Sequence, residues 1–559
     1  MPDQAPELID TGNGLTVRFR GRFLYSPSDP VGAVEKRIIG RSYPERTLYI
    51  LPSPLLFYGM DRLLDRIEET SHVLCLETDQ ALMALSASYF SHRFLNDTRI
   101  SYIRSDSPST VLSYIRKLNP RRFRRSVLLP LTGGYSLDSR RYTRIAEAVS
   151  SEISRLWQDT MTRSHMGRRW MRNIFTNLRF HPPTAHALPV TDKPVAVAGA
   201  GESLEGSLPL LRALRNEVWL LAVDTALPVL LAAGIVPDAV CAVEAQQANV
   251  YDFMPPSGLD LPGAGKSAEA AGLLLCDLSS YPGAVRAAGG GPVRYFLSSF
   301  ERLKVFDRLE AHGLMPPEVP PLGSIGITSL YIASHITLRT VLYTGLDFAY
   351  TPGKTHARGA PSHTARLSTA DRLTGHTQYP TTALRPWIRA AGREREYVNT
   401  DYVLFSYAAK LAELVETNGR FVDIGGRGVR HPGRTALTVR EIRKVIGETE
   451  GAGTPPTGAP ESPRDRRRRI GEFFRGEYAL LERVMDGGRR YLAVDQSPKA
   501  ARELRGVFED ADYLYFHFPD PPPLPLEDPN FVKRVLLSAE EYTYRIRPLV
   551  ESLSTPHLS

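Results

Sequence analysis

Residues 195–214, "VAVAGAGESLEGSLPLLRAL", decide the fold. The four apolar residues 195–198 suit a strand buried on both faces of a parallel sheet, where no polar alternation is needed. Gly199 and Gly201 then allow a tight turn and a close approach of backbone to ligand, and the leucine spacing after Ser203 is helical. Strand, glycine turn and helix in that order set amides and the positive end of a helix dipole beside Ser203, so the turn is predicted to hold an anion. The third glycine of the dinucleotide pattern is missing, and the turn alone names no ligand.

Working outward, residues 217–246, "EVWLLAVDTALPVLLAAGIVPDAVCAVEAQ", read as a strand, a helix opened by Asp224, Thr225 and Ala226 and closed by Gly234 and Pro237, and a second strand ending at Glu244 and Gln246. Polar residues at the carboxyl ends of successive parallel strands mark the edge where an open sheet binds ligands. Asp224 reads equally as a helix cap, and Glu244 and Gln246 as acceptors for loop amides. Further on, Gly323 and Ser324 open a helix running through His335. The strand "TVLYTGLDFAY" ends in Gly345, Asp347 and Tyr350, and the loop "TPGKTHARG" carries Lys354, Thr355, His356 and Arg358. That loop mixes anion-binding cations with a titratable imidazole. His335, inside an apolar helix, reads as a core histidine.

The fold class is α/β, with four divisions expected. Residues 1–150 form a degenerate Rossmann-like domain: alternation over 1–40, a strand at 47–54, the helical "LLFYGMDRLLDRIEE" and a strand at 72–80. The turn Pro52-Ser53-Pro54 lacks glycine, so a pyrophosphate has no close approach there, and Glu77 and Asp79 read as turn residues. Residues 151–194 are a connector helix and proline-rich linker, and 195–435 a central domain built around the glycine turn. Residues 436–559 hold a flexible linker, 450–469, whose "RDRRRR" reads as a solvated run, and then a helical module.

Composition bounds the function. The chain has 559 residues, 42% apolar and 23% charged, which excludes a disordered protein. A formal charge of +8, part of it in one arginine run, argues against a nucleic-acid binder. Cys75, Cys241 and Cys276 lie in apolar stretches without metal spacing and read as buried thiols, as in the cytoplasm. No signal segment or membrane span is predicted.

The segments "GAGESLEGSLPLL", "AVDTALPVLLAAGIVPDAVCAVEAQ", "GLDFAYTPGKTHARG" and "VNTDYVLFSYAAKLAELVE" together resemble the motility accessory factor (Maf) proteins, which share an MptE-like (6-hydroxymethylpterin pyrophosphokinase-like) central domain. The resemblance covers residues 165 to about 435, and "SHMGRRWMRNIFTNL" is similar to the connector of that family. It implies a sialyltransferase-like central domain and a glycosyltransferase that moves a nonulosonic, sialic-acid-like sugar from its CMP ester to serine or threonine of flagellin, for flagellum assembly and motility. Carried over by position, Gly199, Gly201, Ser203 and Leu204 hold the nucleotide, with Asp224, Thr225, Glu244 and Gln246 nearby, and Ser324, Gly345, Asp347, Tyr350, Thr355 and His356 complete the cleft. Two departures stand out: Glu202, a carboxylate inside the turn, and "DIGGRGVRHPG" at 423–433, where the family has "NATEGGA".

The implied transfer needs a base for the acceptor hydroxyl, for which His356 is nominated with Asp347 as its orienter or alternative. Charge on the leaving phosphate calls for donors, and Tyr350 and Lys354 are nominated. No permanently bound cofactor and no metal is expected; the CMP-activated sugar is the donor substrate. Two other readings stay open. One is ATP-dependent pyrophosphoryl transfer to a pterin alcohol, with Mg²⁺ on Asp224, Glu244 and Asp347; the other is a non-catalytic flagellin-binding assembly factor.

Overall fold

The computed structural model describes residues 5–94, 96–118, 120–180, 187–253, 272–288, 291–299, 301–351, 354–361, 387–449, 453, 455, 462–518 and 524–554. It is an α/β protein of two compact units, Met1–His165 with Phe518–Pro525, and Met166–His517 with Leu526–Ser559. No helix among the described residues is long and apolar enough to cross a membrane. The three cysteines are buried and in no disulfide.

In the first unit an antiparallel sheet of β1 (Glu7–Asp10), β2 (Leu15–Phe19) and β3 (Arg22–Phe23) precedes a parallel sheet. The latter contains β4 (Thr47–Pro52), β5 (His72–Glu77), β6 (Ile100–Arg104) and β7 (Arg125–Leu128) in the order β6-β5-β4-β7. The helix expected after β4 is reduced to Met60–Leu64. Ser53, Leu55 and Phe57 adopt positive φ (47°, 52° and 57°), a conformation that costs about 1–3 kcal/mol per residue and breaks helical hydrogen bonding. Burial of Leu55, Leu56 and Phe57 in the core offsets that strain, so the apolar run is a core-filling turn. Glu77 is buried and accepts from the Ser53 hydroxyl (2.8 Å), the Tyr142 hydroxyl (2.8 Å) and the amides of Thr78 and Asp79 (2.9 and 3.0 Å). Asp79 caps the helix Gln80–Arg93.

The second unit is built on eight parallel strands: β8 (Val195–Ala198), β9 (Trp219–Val223), β10 (Ala239–Ala242), β11 (Leu274–Asp277), β12 (Val293–Phe296), β13 (Val341–Thr344), β16 (Phe421–Asp423) and β17 (Arg434–Thr435). A hairpin of β14 (Trp387–Ala391) and β15 (Tyr397–Asp401) is inserted before β16. The order is β12-β11-β10-β9-β8-β13-β16-β17. The chain starts in the middle at β8, runs outward to β12, then returns to lay β13 on the other flank of β8. The topological switch point therefore lies between β8 and β13, where an open parallel sheet leaves its crevice.

The alternation of valine and alanine in β8 serves two cores. Val195 and Val197 pack with Leu330, Ile332 and Ile336 of the helix Ile325–Ile336, whereas Ala196 and Ala198 pack with Leu204 and Leu211 of the helix Ser203–Ala213. His335 proves to be on the exposed side of its helix, stacked on Tyr331 at 4.3 Å between ring centroids.

Three sequence divisions are drawn differently by the structure. The connector is one helix, Ser139–Phe180, beginning eleven residues before the boundary expected at 150. Asn173 and Asn177, one turn apart, donate to the carbonyls of Ala245, Ser279, Leu278 and Ser280 (2.9–3.1 Å), which fixes the helix over loops of the central sheet. The central fold continues past residue 435: the helix Val439–Gly447, started by a Thr438–Glu441 capping box, buries Ile442 and Val445 in the core shared with β8. The arginine run 464–469 is the first part of the helix Pro463–Ala493. Arg464, Arg467 and Arg468 are exposed, as expected of a solvated run, whereas Arg466 is buried and Arg469 donates to the Gly313 carbonyl (3.1 Å). The helices Pro463–Ala493, Pro498–Asp510 and Pro529–Ser554 belong to the same unit as the sheet. Phe175 of the connector packs against Phe473, Phe474, Tyr513 and Tyr542.

Candidate functional site

The glycine turn and the end of β13 meet at the switch point. Ser203 gives its backbone N–H to Asp347 Oδ2 (2.8 Å) and its hydroxyl to Asp347 Oδ1, and the Gly345 amide donates to Ser203 Oγ (2.9 Å). The Gly199 amide goes to the Thr344 carbonyl (2.8 Å), and that of Gly201 to the Gly345 carbonyl (2.9 Å). The turn was expected to offer these donors to a ligand. Instead the carboxylate of Asp347 occupies the anion position at the start of the helix, because β13 pairs beside β8 and brings an acid into reach. Burial pushes the Asp347 carboxyl up, against the two Ser203 hydrogen bonds that hold its charged form. Ser203 is 3% exposed and Leu204 fully buried, so neither presents a surface to a nucleotide. The glycines serve close packing. A Cβ on Gly201 would stand 2.8 Å from both Asp347 Oδ2 and the Gly345 carbonyl, and one on Gly345, whose φ is +71°, would stand 2.0 Å from the Gly199 carbonyl.

The loop after β13 is laid on this turn. The Ala357 amide donates to the Ala200 carbonyl (2.8 Å), and Ala357 and Ala360 are fully buried, which sets Lys354, Thr355 and His356 beside the glycine turn. Thr355 Oγ1 is 3.1 Å from His356 Nδ1, so threonine takes the orienting position for which Asp347 was nominated; both Asp347 oxygens are spent on Ser203. The Lys354 ammonium pairs with Glu205 (2.8 Å) and Glu202 (3.5 Å). Glu202 also meets Arg427 (3.3 Å) and accepts from the Thr351 hydroxyl. The Tyr350 hydroxyl donates to Asp401 Oδ2 (2.6 Å), and the other Asp401 oxygen caps the helix Tyr402–Thr417 through the amides of Val403 and Leu404.

One strand away, β9 is in register with β8 so that Ala198 lies opposite Ala222, which levels Asp224 with Ala200. Asp224 is buried, takes the Thr225 amide (2.7 Å) and hydroxyl (3.2 Å) on one oxygen, and receives the Asn249 side-chain amide (2.7 Å) on the other. The same Asn249 nitrogen donates to Asp252 (3.0 Å). Burial raises both carboxyls, Asp224 to about 6 and Asp252, which also feels the Asp224 charge, to about 7. Glu244 folds onto the Gln246 amide (2.9 Å) and closes its own turn, and Gln246 is exposed. Ser324 is the half-buried cap residue of the helix Ile325–Ile336, whose Gly326 packs on Leu346 of the β13 turn.

A further cluster was not anticipated. Arg393 pairs with buried Asp423, lies 3.1 Å from His431 Nε2, and donates to Thr435 Oγ1 (2.7 Å). Asp423 also takes the amides of Gly425 and Gly426 (2.7 and 3.3 Å). Burial, with Arg393 nearby, lowers His431 to about 4, so its imidazole is neutral at neutral pH. Asp423 and His431 lie in the segment singled out as divergent, but Arg393 comes from the hairpin, which joins that segment through the Gly392–Val429 bridge and the Arg393 amide's bond to the Gly428 carbonyl (3.1 Å). Among the described residues, no group of three or more His, Cys, Asp or Glu stands arranged to hold a metal ion.

Residues 168–353 match the family described as 6-hydroxymethylpterin diphosphokinase MptE-like. An uncharacterised protein of Treponema pallidum (strain Nichols) is 27% identical over 557 residues, covering 96% of this chain and 94% of its own length. A second protein of that organism is 33% identical over 120 residues, 21% of this chain and 57% of that protein. Among solved structures, the MAf glycosyltransferase from Magnetospirillum magneticum AMB-1 superposes with a TM-score of 0.55 at 14% identity, covering 98% of this chain and 89% of that one.

The chain has the fold of a Maf glycosyltransferase. The MptE-like match starts inside the connector helix and ends in the loop after β13, so within this Maf fold it spans the glycine turn, Asp224, Glu244 and Asp347. Arg393, Asp423 and Arg427 lie beyond it. At the switch point of the Maf fold, Gly201, Tyr350, Lys354, Thr355 and His356 keep part of their surface accessible, whereas Gly199, Ser203, Leu204 and Asp347 are interior.

Proposed function

We propose that this protein is a glycosyltransferase that moves a nonulosonic sugar from its CMP ester to serine or threonine hydroxyls of flagellin, and so acts in flagellum assembly and motility in the cytoplasm. The observation that carries the reading is the loop of Lys354, Thr355 and His356, held against the glycine turn at the β8/β13 switch point by the Ala357–Ala200 hydrogen bond. The whole-chain Maf glycosyltransferase fold supports the reaction class. CMP, flagellin and the sugar come from the sequence resemblance.

In this reaction an acceptor oxygen attacks the anomeric carbon, the carbon–oxygen bond to the phosphate breaks, the hydroxyl proton passes to His356, and CMP leaves with the electron pair. General-base removal of the hydroxyl proton by a positioned imidazole contributes about 10²–10⁴-fold. Lys354 faces the leaving phosphate, and Thr355 orients the ring. Tyr350 acts one step back, by holding Asp401 and the start of the helix Tyr402–Thr417.

Pyrophosphoryl transfer, the activity in the MptE-like family description, would call on Asp224, Glu244 and Asp347 to hold Mg²⁺. Each already spends carboxylate oxygens on its own surroundings: Thr225 and Asn249, Gln246, and Ser203 respectively. The deciding experiment incubates the purified chain with a CMP-activated nonulosonic acid and flagellin, and reads flagellin mass with and without chelator. Mass gain that persists in chelator and disappears in His356→Ala supports the transferase; AMP release from ATP with a pterin alcohol, and no mass gain, would replace it.

A further inference from the structure

With Asp347 filling the innermost anion position, a ligand phosphate has to be held farther out. Three donors converge there on a single carboxylate. Arg427 Nη1 is 3.3 Å and Lys354 Nζ 3.5 Å from Glu202 Oε1, and the Thr351 hydroxyl donates to Glu202 Oε2. The donors come from two segments, the loop after β13 and the turn after β16, and the carboxylate from the start of the helix Ser203–Ala213. A guanidinium, an ammonium and a hydroxyl gathered round two anionic oxygens are the equipment that recognises a phosphate monoester.

We propose that Thr351, Lys354 and Arg427 form the seat of the ligand's phosphate, and that Glu202 is its placeholder, displaced when the phosphate enters. The charge balance requires the exchange. Lys354, Arg427 and Arg358, which acts on Glu205, stand among Glu202, Glu205 (2.8 Å from Lys354), Glu394 (2.9 Å from Arg427) and Asp347, so with Glu202 in place three cations answer four carboxylates. An added phosphate would then meet a negative site; once Glu202 swings away, it meets a balanced one. Swinging away is easy, because the side chains of Glu202, Lys354 and Arg427 are 27%, 21% and 43% exposed and such pairs are individually weak. The assignment rests on the proposed function for its ligand, the phosphate of a nucleoside monophosphate ester, and gives the departing CMP a competitor that helps expel it.

Calorimetry with CMP, and separately with inorganic phosphate, on the wild-type chain, Glu202→Gln, Lys354→Gln and Arg427→Gln tests it. Glu202→Gln keeps an acceptor for Thr351 and removes the charge, and is expected to tighten CMP and phosphate binding by about three- to tenfold. Lys354→Gln and Arg427→Gln weaken both. If CMP binds the wild type and Glu202→Gln binds it no more tightly, the placeholder is overturned and the donor assignment stands. If phosphate binding tightens in Glu202→Gln while CMP does not bind any variant, the seat stands and the CMP donor falls. Binding of neither overturns both. Should Glu202→Gln fail to fold, the side-chain carboxyl ¹³C resonance of Glu202 in the wild type decides: it moves on adding phosphate if the exchange occurs and stays fixed if it does not.

Discussion

Ser203 spends both its donors, the backbone N–H and the hydroxyl, on the carboxylate of Asp347, a residue 144 positions away in sequence. The pair joins the turn after β8 to the turn after β13 across the switch point, and it turns a loop that reads as a ligand cradle into an internal joint. Ser203→Ala removes one hydrogen bond to a buried carboxylate and the acceptor of the Gly345 amide. A loss of about 1–3 kcal/mol in denaturant unfolding is expected, with CMP affinity unchanged within about twofold. A large loss of CMP affinity in a variant of wild-type stability would restore Ser203 to the ligand site.

Gly345→Ala should be among the most damaging single changes in the second unit. Its φ of +71° disfavours a side chain, and the added Cβ would overlap the Gly199 carbonyl at 2.0 Å. Backbone cannot step aside as a flexible side chain can. Destabilisation by about 3 kcal/mol or more, or recovery only as insoluble protein, is expected; a melting temperature within a few degrees of wild type would contradict the packing described.

The Asp224–Asn249–Asp252 unit predicts a pH dependence of stability. Both carboxyls sit above their ordinary range in the folded chain, at about 6 and about 7, so between about pH 4 and 7 the folded state holds protons that the unfolded chain has released. Their contribution is therefore present at the acid end and is lost as pH rises through that window. Asp252→Asn keeps an acceptor for the Asn249 amide and removes one titration. Thermal melts across the window should show a gentler decline for the variant than for the wild type, and a higher midpoint above pH 7. Parallel curves would show that the pair does not titrate there.

Tyr350 and His356 separate structure from chemistry. Tyr350→Phe leaves buried Asp401 short of one donor and should cost about 1–2 kcal/mol of stability while transfer slows by less than about fivefold. His356→Ala should slow transfer by about 10²–10⁴-fold with little change in CMP affinity. Single-turnover transfer and chemical denaturation, run on both variants, check the pair; equal rates for His356→Ala and wild type would remove His356 as the base.

Local patterns were legible wherever one segment contained the whole cause. The unbroken apolar run at 195–198, the glycines behind it and the strand ends at Glu244 and Gly345 led directly to a parallel sheet with its polar edge at the carboxyl ends of the strands. The helix expected at 55–69 shrinks to Met60–Leu64, because Leu55 and Phe57, which read as the first turn of the apolar pattern, take left-handed backbone to fill the core. The solvated reading of 464–469 fits Arg464, Arg467 and Arg468, but nothing in the run announces that Arg466 turns inward or that Gly313 lies alongside Arg469. At the site, Glu202 was visible as an oddity, whereas the cations around it, Lys354 and Arg427, could not be paired from letters 152 and 225 positions away.

What the sequence by itself determined was the inventory: an α/β chain, a glycine turn after the first central strand, and a loop carrying Lys354, Thr355 and His356. Periodicity and turn chemistry are local, so they are written in consecutive residues. Which of those residues face a ligand was decided by tertiary structure alone. Setting β13 beside β8 delivered Asp347 to Ser203 and consumed the turn's donors, and setting β16 beside β13 brought Arg427 to Glu202. Strand order is fixed by how the two faces of the sheet bury their apolar cover, a cooperative property of the whole unit that no stretch of twenty residues contains.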